Sequence, residues 1–403
     1  MFMFSLINFY LFLSEVMIPA SGNKGRKIYC AIVVFVGAAF LFAWHLAVNG
    51  MQQEWLITLM DAKRSNDSQG TTLSLEDRLL ESARAWSGNL TKRRNASNLS
   101  EIQEKAHSEP FPRKVLIISR GRSGSSFLGD LFNENNEMFY LFEPMGIYLT
   151  DSSGHKSKGF KILDDLYQCK FGERLFLNFM LESSGFRRKS KKLSTFPGQC
   201  PRISRISPFC LSKILQSSCV HSSALVAKVL THRLPQGGLW GIRKILDANQ
   251  NLRIVHLLRD PRRVIASMRK AGWFKGKNFV THTKYICSSI WENLKHVLNE
   301  SAYYKNRYKI VVFSDMMFNP STTVRELYDF LKMGPVPDSI FTWIKQNTEA
   351  SESKSKQTYR TARNSTEVLH RKVEFSRNEE RIIDKYCGVV SRFINKIRKH
   401  SIV

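Results

Sequence analysis

A three-layer α/β fold with a central parallel sheet is what this sequence predicts for residues 113–403, and three observations predict it. Short apolar runs rich in β-branched residues recur along that stretch, segments with helical periodicity follow most of them, and the first run breaks into a Gly/Ser/Arg turn that opens a helix. Strands that alternate with helices pair in parallel and are covered on both faces, because each crossover lays a helix on the sheet.

The residues ahead of that domain differ in character. Met1 to Pro19 is apolar, and Met17 offers an alternative start, so residues 1–27 are read as a cytoplasmic tail of which 1–16 need not belong to the mature protein. Lys24, Arg26 and Lys27 precede Ile28 to Val48, a run of about the twenty mostly apolar residues that a membrane span takes. The basic flank places the N-terminus in the cytoplasm and everything after Val48 in the lumen, with residues 28–48 as an uncleaved signal-anchor. A two-span hairpin and a cleaved signal peptide are the other readings. Residues 49–112 are polar, carry Pro110 and Pro112, and are read as a stem. Acceptor triplets for N-glycosylation stand at Asn66, Asn89, Asn95 and Asn98 within it, and at Asn299 and Asn364 further on.

Within the domain, Leu116 to Ser119, Phe139 to Phe142, Leu225 to Leu230, Arg253 to Leu258 and Lys309 to Phe313 are expected to be buried strands. A basic loop with Arg187, Arg188, Lys189, Lys191 and Lys192 falls between Ser184 and Arg205, either as solvated surface or as a contact for an acidic acceptor. Ile382, Ile383, Tyr386, Val390, Phe393 and Ile397 have the spacing of a core-packed helix over Ser376 to Lys399. Apart from Cys30 there are six cysteines, Cys169, Cys200, Cys210, Cys219, Cys287 and Cys387, an even number suited to an oxidising lumen. A local bridge among Cys200, Cys210 and Cys219 is the pairing expected first, and none of the six has metal-site spacing.

The turn after the first strand, Arg120-Gly121-Arg122-Ser123-Gly124-Ser125-Ser126-Phe127, is an anion cradle of P-loop-like design. Gly121 and Gly124 let the backbone approach a ligand, the N–H groups of Ser125, Ser126 and Phe127 point out of the helix start, and Arg122 adds a positive charge. The G-x-x-x-x-G-K-[ST] lysine is missing and so is the G-x-G-x-x-G spacing, which excludes an ordinary ATP or GTP site and a dinucleotide fold. A second anion site follows the fourth strand, where Arg259 stands at the carboxyl end, Asp260 caps a helix begun by Pro261, and Ser267 falls about two turns in. Both loops leave the carboxyl edge of the sheet, so they reach one crevice, as a nucleotide with two anionic ends would require. The balance of 61 Lys plus Arg against 34 Asp plus Glu, a net charge of +27, favours anionic partners in general.

These residues resemble the Golgi carbohydrate sulfotransferases, which move a sulfuryl group from 3'-phosphoadenosine-5'-phosphosulfate to the 6-hydroxyl of Gal, GalNAc or GlcNAc. Arg122 to Phe127 is similar to that family's 5'-phosphosulfate loop, Phe139 to Pro144 follows at its spacing, Asn251 to Arg262 with Ser267 is similar to its 3'-phosphate segment, and Tyr359, Thr361, Arg363, Asn364 and Ser365 resemble its late closing loop. The resemblance runs from about Lys114 to Cys387. It implies a donor site drawn from Arg120 to Phe127, Arg259, Ser267, Tyr359 and Arg363, with the phosphosulfate donor as co-substrate and no metal. Three positions depart from the family: Thr231 stands where Arg is usual, with Arg233 as a shifted substitute; Val312 to Met316 replaces R-[FY]-E-D-L; and Leu369-His370 replaces Trp-Arg.

In-line sulfuryl transfer needs a fixed donor, neutralised charge on the leaving phosphate and a base at the attacking hydroxyl. Glu143, at the end of the second strand, is the candidate base, with an ion pair to a basic residue as the plainer role; Lys228 is expected to add charge near the bridging oxygen. The implied partners are a glycan or proteoglycan acceptor and the Golgi membrane, with no nucleic acid, while self-association through stem or anchor stays open. A catalytically inactive glycan-binding membrane protein and an atypical P-loop nucleotide kinase are the competing readings.

Overall fold

The computed structural model describes residues 112–149, 158–196, 198–200, 207–349 and 364–398. The expected tail, anchor and stem, with Asn66, Asn89, Asn95 and Asn98, lie outside these residues, and so do Tyr359 and Arg363. Among the described residues no helix is long and apolar enough to cross a membrane.

Five strands, β1 (Arg113–Ser119), β2 (Met138–Phe142), β3 (Ala224–Leu230), β4 (Leu252–Leu258) and β5 (Tyr308–Val312), form one sheet in the order β2-β3-β1-β4-β5. Every pairing is parallel, with Ile117 opposite Lys228 on one side of β1 and Val255 on the other. Each expected strand is present, with one correction at the last: Phe313 begins a helix and does not end β5.

The longer helices, in chain order, are α1 (Ser125–Asn133), α2 (Lys158–Tyr167), α3 (Arg174–Glu182), α4 (Pro208–Val220), α5 (Arg243–Ala248), α6 (Pro261–Lys270), α7 (Phe279–Asn299), α8 (Phe313–Phe318), α9 (Pro320–Leu331), α10 (Asp338–Thr348), α11 (Ser365–His370) and α12 (Arg377–Ile397). Alternation along the strands sorts the core into two layers. Leu116, Ile118, Leu225 and Ile254 pack with residues of α2 to α5 on one face. Val115, Ile117, Val226 and Val255 pack with residues of α1 and α8 to α11 on the other. A third cluster joins α6, α7 and α12 to Leu258 and Val312 at the carboxyl edge.

Three disulfides hold the layers. Cys200–Cys210 is the local bridge expected from the sequence, whereas Cys169–Cys219 and Cys287–Cys387 close loops of 50 and 100 residues. The basic stretch after Ser184 is more structured than a solvated loop. Arg187 is buried, donates to the carbonyls of Met180 and Leu181 at the end of α3, and lies over the Phe196 ring at 4.7 Å. Lys191 pairs with Glu134 at the end of α1, because the chain folds back along that helix.

Candidate active site

Gly124 makes the anion turn. Its φ of +94° is a conformation that side-chained residues rarely adopt, and a Cβ there would lie 2.3 Å from the Phe313 ring. Gly121 is fixed by packing, since a Cβ there would stand 2.6 Å from the Trp273 ring. The first helical N–H to reach back is that of Leu128, on the Gly124 carbonyl at 3.3 Å. The N–H groups of Ser125, Ser126 and Phe127 therefore face the helix start, where the backbone dipoles favour an anion. Ser123 and Ser125 are buried, and the buried Phe127 ring packs against Trp343 at 5.2 Å, which holds α1 in place beneath the turn.

The fourth strand brings the second loop alongside. Arg259 leaves the end of β4, lies over the Phe313 ring at 4.2 Å, and donates from Nη1 to the Arg122 carbonyl at 3.1 Å. Arg122 Nε in turn donates to Ser267 Oγ at 3.2 Å. Asp260 caps α6 by accepting from the Arg262 N–H at 2.7 Å, as expected from the sequence. Thus Arg122, Arg259 and Ser267, up to 145 residues apart in the chain, meet because β1 and β4 are neighbours. Their exposed faces offer donors of hydrogen bonds and positive charge, a set that suits an acceptor-only ligand such as phosphate. A shallow open cleft lies beside them, lined by Arg259, Asp260, Arg263, Phe313, Ser314 and Leu369 among others. The departures at Ser314 and Leu369 therefore border the same cleft as Arg259, and exposed His370 ends α11.

Glu143 follows β2 with φ +45° and is buried, with both carboxylate oxygens engaged: Oε1 by Lys228 and Oε2 by Arg233. The ion pair that the sequence left as its plainer role is present, and the carboxylate is not open to the crevice. Burial alone would raise its pKa, but the two cations outweigh that and hold the carboxyl below its usual range. Lys228 lies over the Phe142 ring at 4.3 Å and is itself lowered, first by burial. Arg233 reaches the same carboxylate from two residues beyond Thr231, whose hydroxyl donates to the Ser119 carbonyl at 3.4 Å.

His232 is the residue that sequence reasoning passed over. Its Nδ1 is buried without a hydrogen-bond partner among the described residues, and burial, with the charges of Arg120, Arg233 and Lys277, pushes its pKa down to about 3. A histidine two residues past the end of a buried strand was the available signal. Arg120 does not turn toward the other donor-loop residues; it lies over the Tyr285 ring of α7 at 4.6 Å. Asn299 and Asn364 are exposed, and Asn364 also caps α11 by accepting from the Glu367 N–H at 3.1 Å. Among the described residues no group of three or more His, Cys, Asp or Glu gathers to hold a metal.

Residues 112–390 match the sulfotransferase domain family. The chain is similar to carbohydrate sulfotransferase 1 of Mus musculus, 27% identical over 302 residues, which cover 62% of this chain and 71% of that protein. It is also similar to carbohydrate sulfotransferase 3 of Homo sapiens, 28% identical over 325 residues, 70% of this chain and 66% of the other. Among solved structures, sulfotransferase STF9 from Mycobacterium avium aligns with a TM-score of 0.35 at 14% identity, over 80% of this chain and 87% of that one.

Proposed function

The chain belongs to the sulfotransferase domain family, and on that premise we propose that it transfers a sulfuryl group from 3'-phosphoadenosine-5'-phosphosulfate to a sugar hydroxyl. The acceptor position in this reading is the 6-hydroxyl of Gal, GalNAc or GlcNAc in a glycan or proteoglycan chain. The observation that carries it is the junction of the two cationic loops, Arg122 on Ser267 and Arg259 on the Arg122 carbonyl. The names of the carbohydrate sulfotransferases to which the chain is similar support a sugar acceptor.

The residues fit such a donor. The left-handed backbone at Gly124 forms the turn, where Arg122 with the N–H groups of Ser125 and Ser126 would hold the 5'-phosphosulfate. Arg259 and Ser267 would hold the 3'-phosphate, and Tyr359 and Arg363, which lie outside the described residues, are proposed as further nucleotide-binding residues. These contacts align the donor with the hydroxyl, and preorganised charge stabilises the leaving phosphate. Glu143 is the base of this proposal. In the resting arrangement Lys228 and Arg233 keep it ionised and weakly basic. Lys228 would supply positive charge toward the leaving phosphate of a bound donor, and a weaker hold on Glu143 would raise the proton affinity of that carboxyl. The unpartnered Nδ1 favours a second reading in which neutral His232 takes the proton.

The three disulfides and the basic-flanked apolar run at 28–48 support a luminal domain on a type II anchor in the Golgi membrane, with residues 49–112 as its glycosylated stem. Incubation of the full-length protein with labelled phosphosulfate donor and a panel of desulfated glycans should give product sulfated at the 6-position. Transfer from labelled ATP, with none from the phosphosulfate donor, would overturn the reading in favour of a kinase.

A further inference from the structure

Two arginines leave the turn after β1 in different directions. Arg122 goes toward β4 and α6, where Ser267 receives it, while Arg120 goes toward α7 and lies over Tyr285 at 4.6 Å. Arg120 is only 5% exposed, and its Nε and Nη1 have no hydrogen-bond partner among the described residues. Buried N–H groups of a charged side chain are costly to leave unanswered. Among the described residues, the groups that act on this guanidinium include the Tyr285 hydroxyl and no carboxylate.

Its surroundings add positive charge. Arg120, Arg233 and Lys277 all bear on His232, and Lys277 and Arg120 bear on His282. Among the described residues Glu143 is the carboxylate that meets this cluster, and Lys228 and Arg233 already occupy both its oxygens. Among the described residues this cluster beside β3 is therefore short of a negative charge, and Arg120 is the buried cation that lacks it.

The donor's anions are matched on the β4 side of the turn, by Arg122, Arg259 and Ser267. The β3 side holds Glu143, Lys228 and His232, between which the acceptor hydroxyl gives up its proton. We propose that Arg120 binds an anionic substituent of the acceptor, a carboxylate or a sulfate close to the hydroxyl that is modified, so that the preferred substrate is an acidic glycan and not a neutral one. The inference rests on the transferase reading above. Tyr285, half-exposed, lies with its ring over the same guanidinium and offers a sugar face an aromatic surface beside the anion.

The test uses the full chain and three acceptors of one backbone: an oligosaccharide of alternating hexuronate and hexosamine, its carboxyl-reduced twin, and that twin carrying a sulfate on the neighbouring sugar. The wild-type protein should favour one or both charged acceptors over the neutral twin by at least about tenfold in kcat/KM, and which one identifies the anion as carboxylate or sulfate. Arg120→Gln should collapse that ratio and Arg120→Lys should keep part of it. Equal use of charged and neutral acceptors by the wild type would overturn the inference, whatever the variants' folding. A loss in Arg120→Gln confined to affinity for adenosine 3',5'-bisphosphate, with the ratio intact, would assign Arg120 to the donor and overturn it too. Absence of transfer to all three would remove the transferase reading with it, whereas transfer indifferent to charge would remove only the acceptor-charge site.

Discussion

Arg122 and Arg259 support each other through a single carbonyl, so each positions the other as well as offering charge. Charge-assisted hydrogen bonds of this kind contribute about 1.5–3 kcal/mol each. Arg122→Ala and Arg259→Ala should each weaken adenosine 3',5'-bisphosphate binding by about ten- to a hundredfold or more in titration calorimetry. Glu143→Gln should keep nucleotide binding while turnover drops by about 10²–10⁴, the usual worth of a positioned base. Full turnover in Glu143→Gln would pass the base role to His232. The motif around Arg122 was legible because turn chemistry is local. The burial of Glu143 was not, since the cations that hold it come from 85 and 90 residues away.

At the scale of elements, apolar alternation and Gly/Pro punctuation found all five strands to within three residues at their starts, because each signal lies within the element itself. The last helix carried its start as well. Ser376 and Glu379 form a reciprocal capping box, and Ile383, Cys387, Val390, Phe393 and Ile394 are its buried stripe. Its covalent tie to α7 through Cys287–Cys387 was not legible, because six cysteines of ordinary spacing leave the partner open. That bridge closes a 100-residue loop and Cys200–Cys210 a 10-residue one. The chain-entropy model assigns them about 4.7 and about 2.7 kcal/mol respectively. A Cys287→Ser/Cys387→Ser double variant should therefore melt well below the wild type, and lower than the corresponding Cys200/Cys210 pair in the same scan.

For the whole molecule, buried neutral histidines make stability depend on pH. His256, inside β4 beside the Tyr308 hydroxyl, is pushed down to about 3 by burial, and His232 is likewise down to about 3. Unfolded histidines titrate near about 6.5, so below that pH the unfolded chain binds more protons and stability falls with acidification. His256 alone accounts for up to about 1.4 kcal/mol per pH unit in that window. Glu143 adds to the loss further down: its depressed pKa gives stability that is present above the ordinary carboxylate range and lost as pH falls through the folded value. Thermal melts should show a lower Tm at pH 5 than at pH 7, and His256→Gln should flatten part of that slope; an unchanged slope in the variant would refute the assignment to His256. The sequence by itself determined the order and type of the elements and the turns at Gly124 and at Asp260-Pro261, because periodicity and turn chemistry act over a few residues. Only the tertiary structure decided that Glu143 is clamped, that Arg120 parts from Arg122, and which cysteines pair. Those outcomes depend on which strands become neighbours and what their long side chains meet there, and no local signal encodes that.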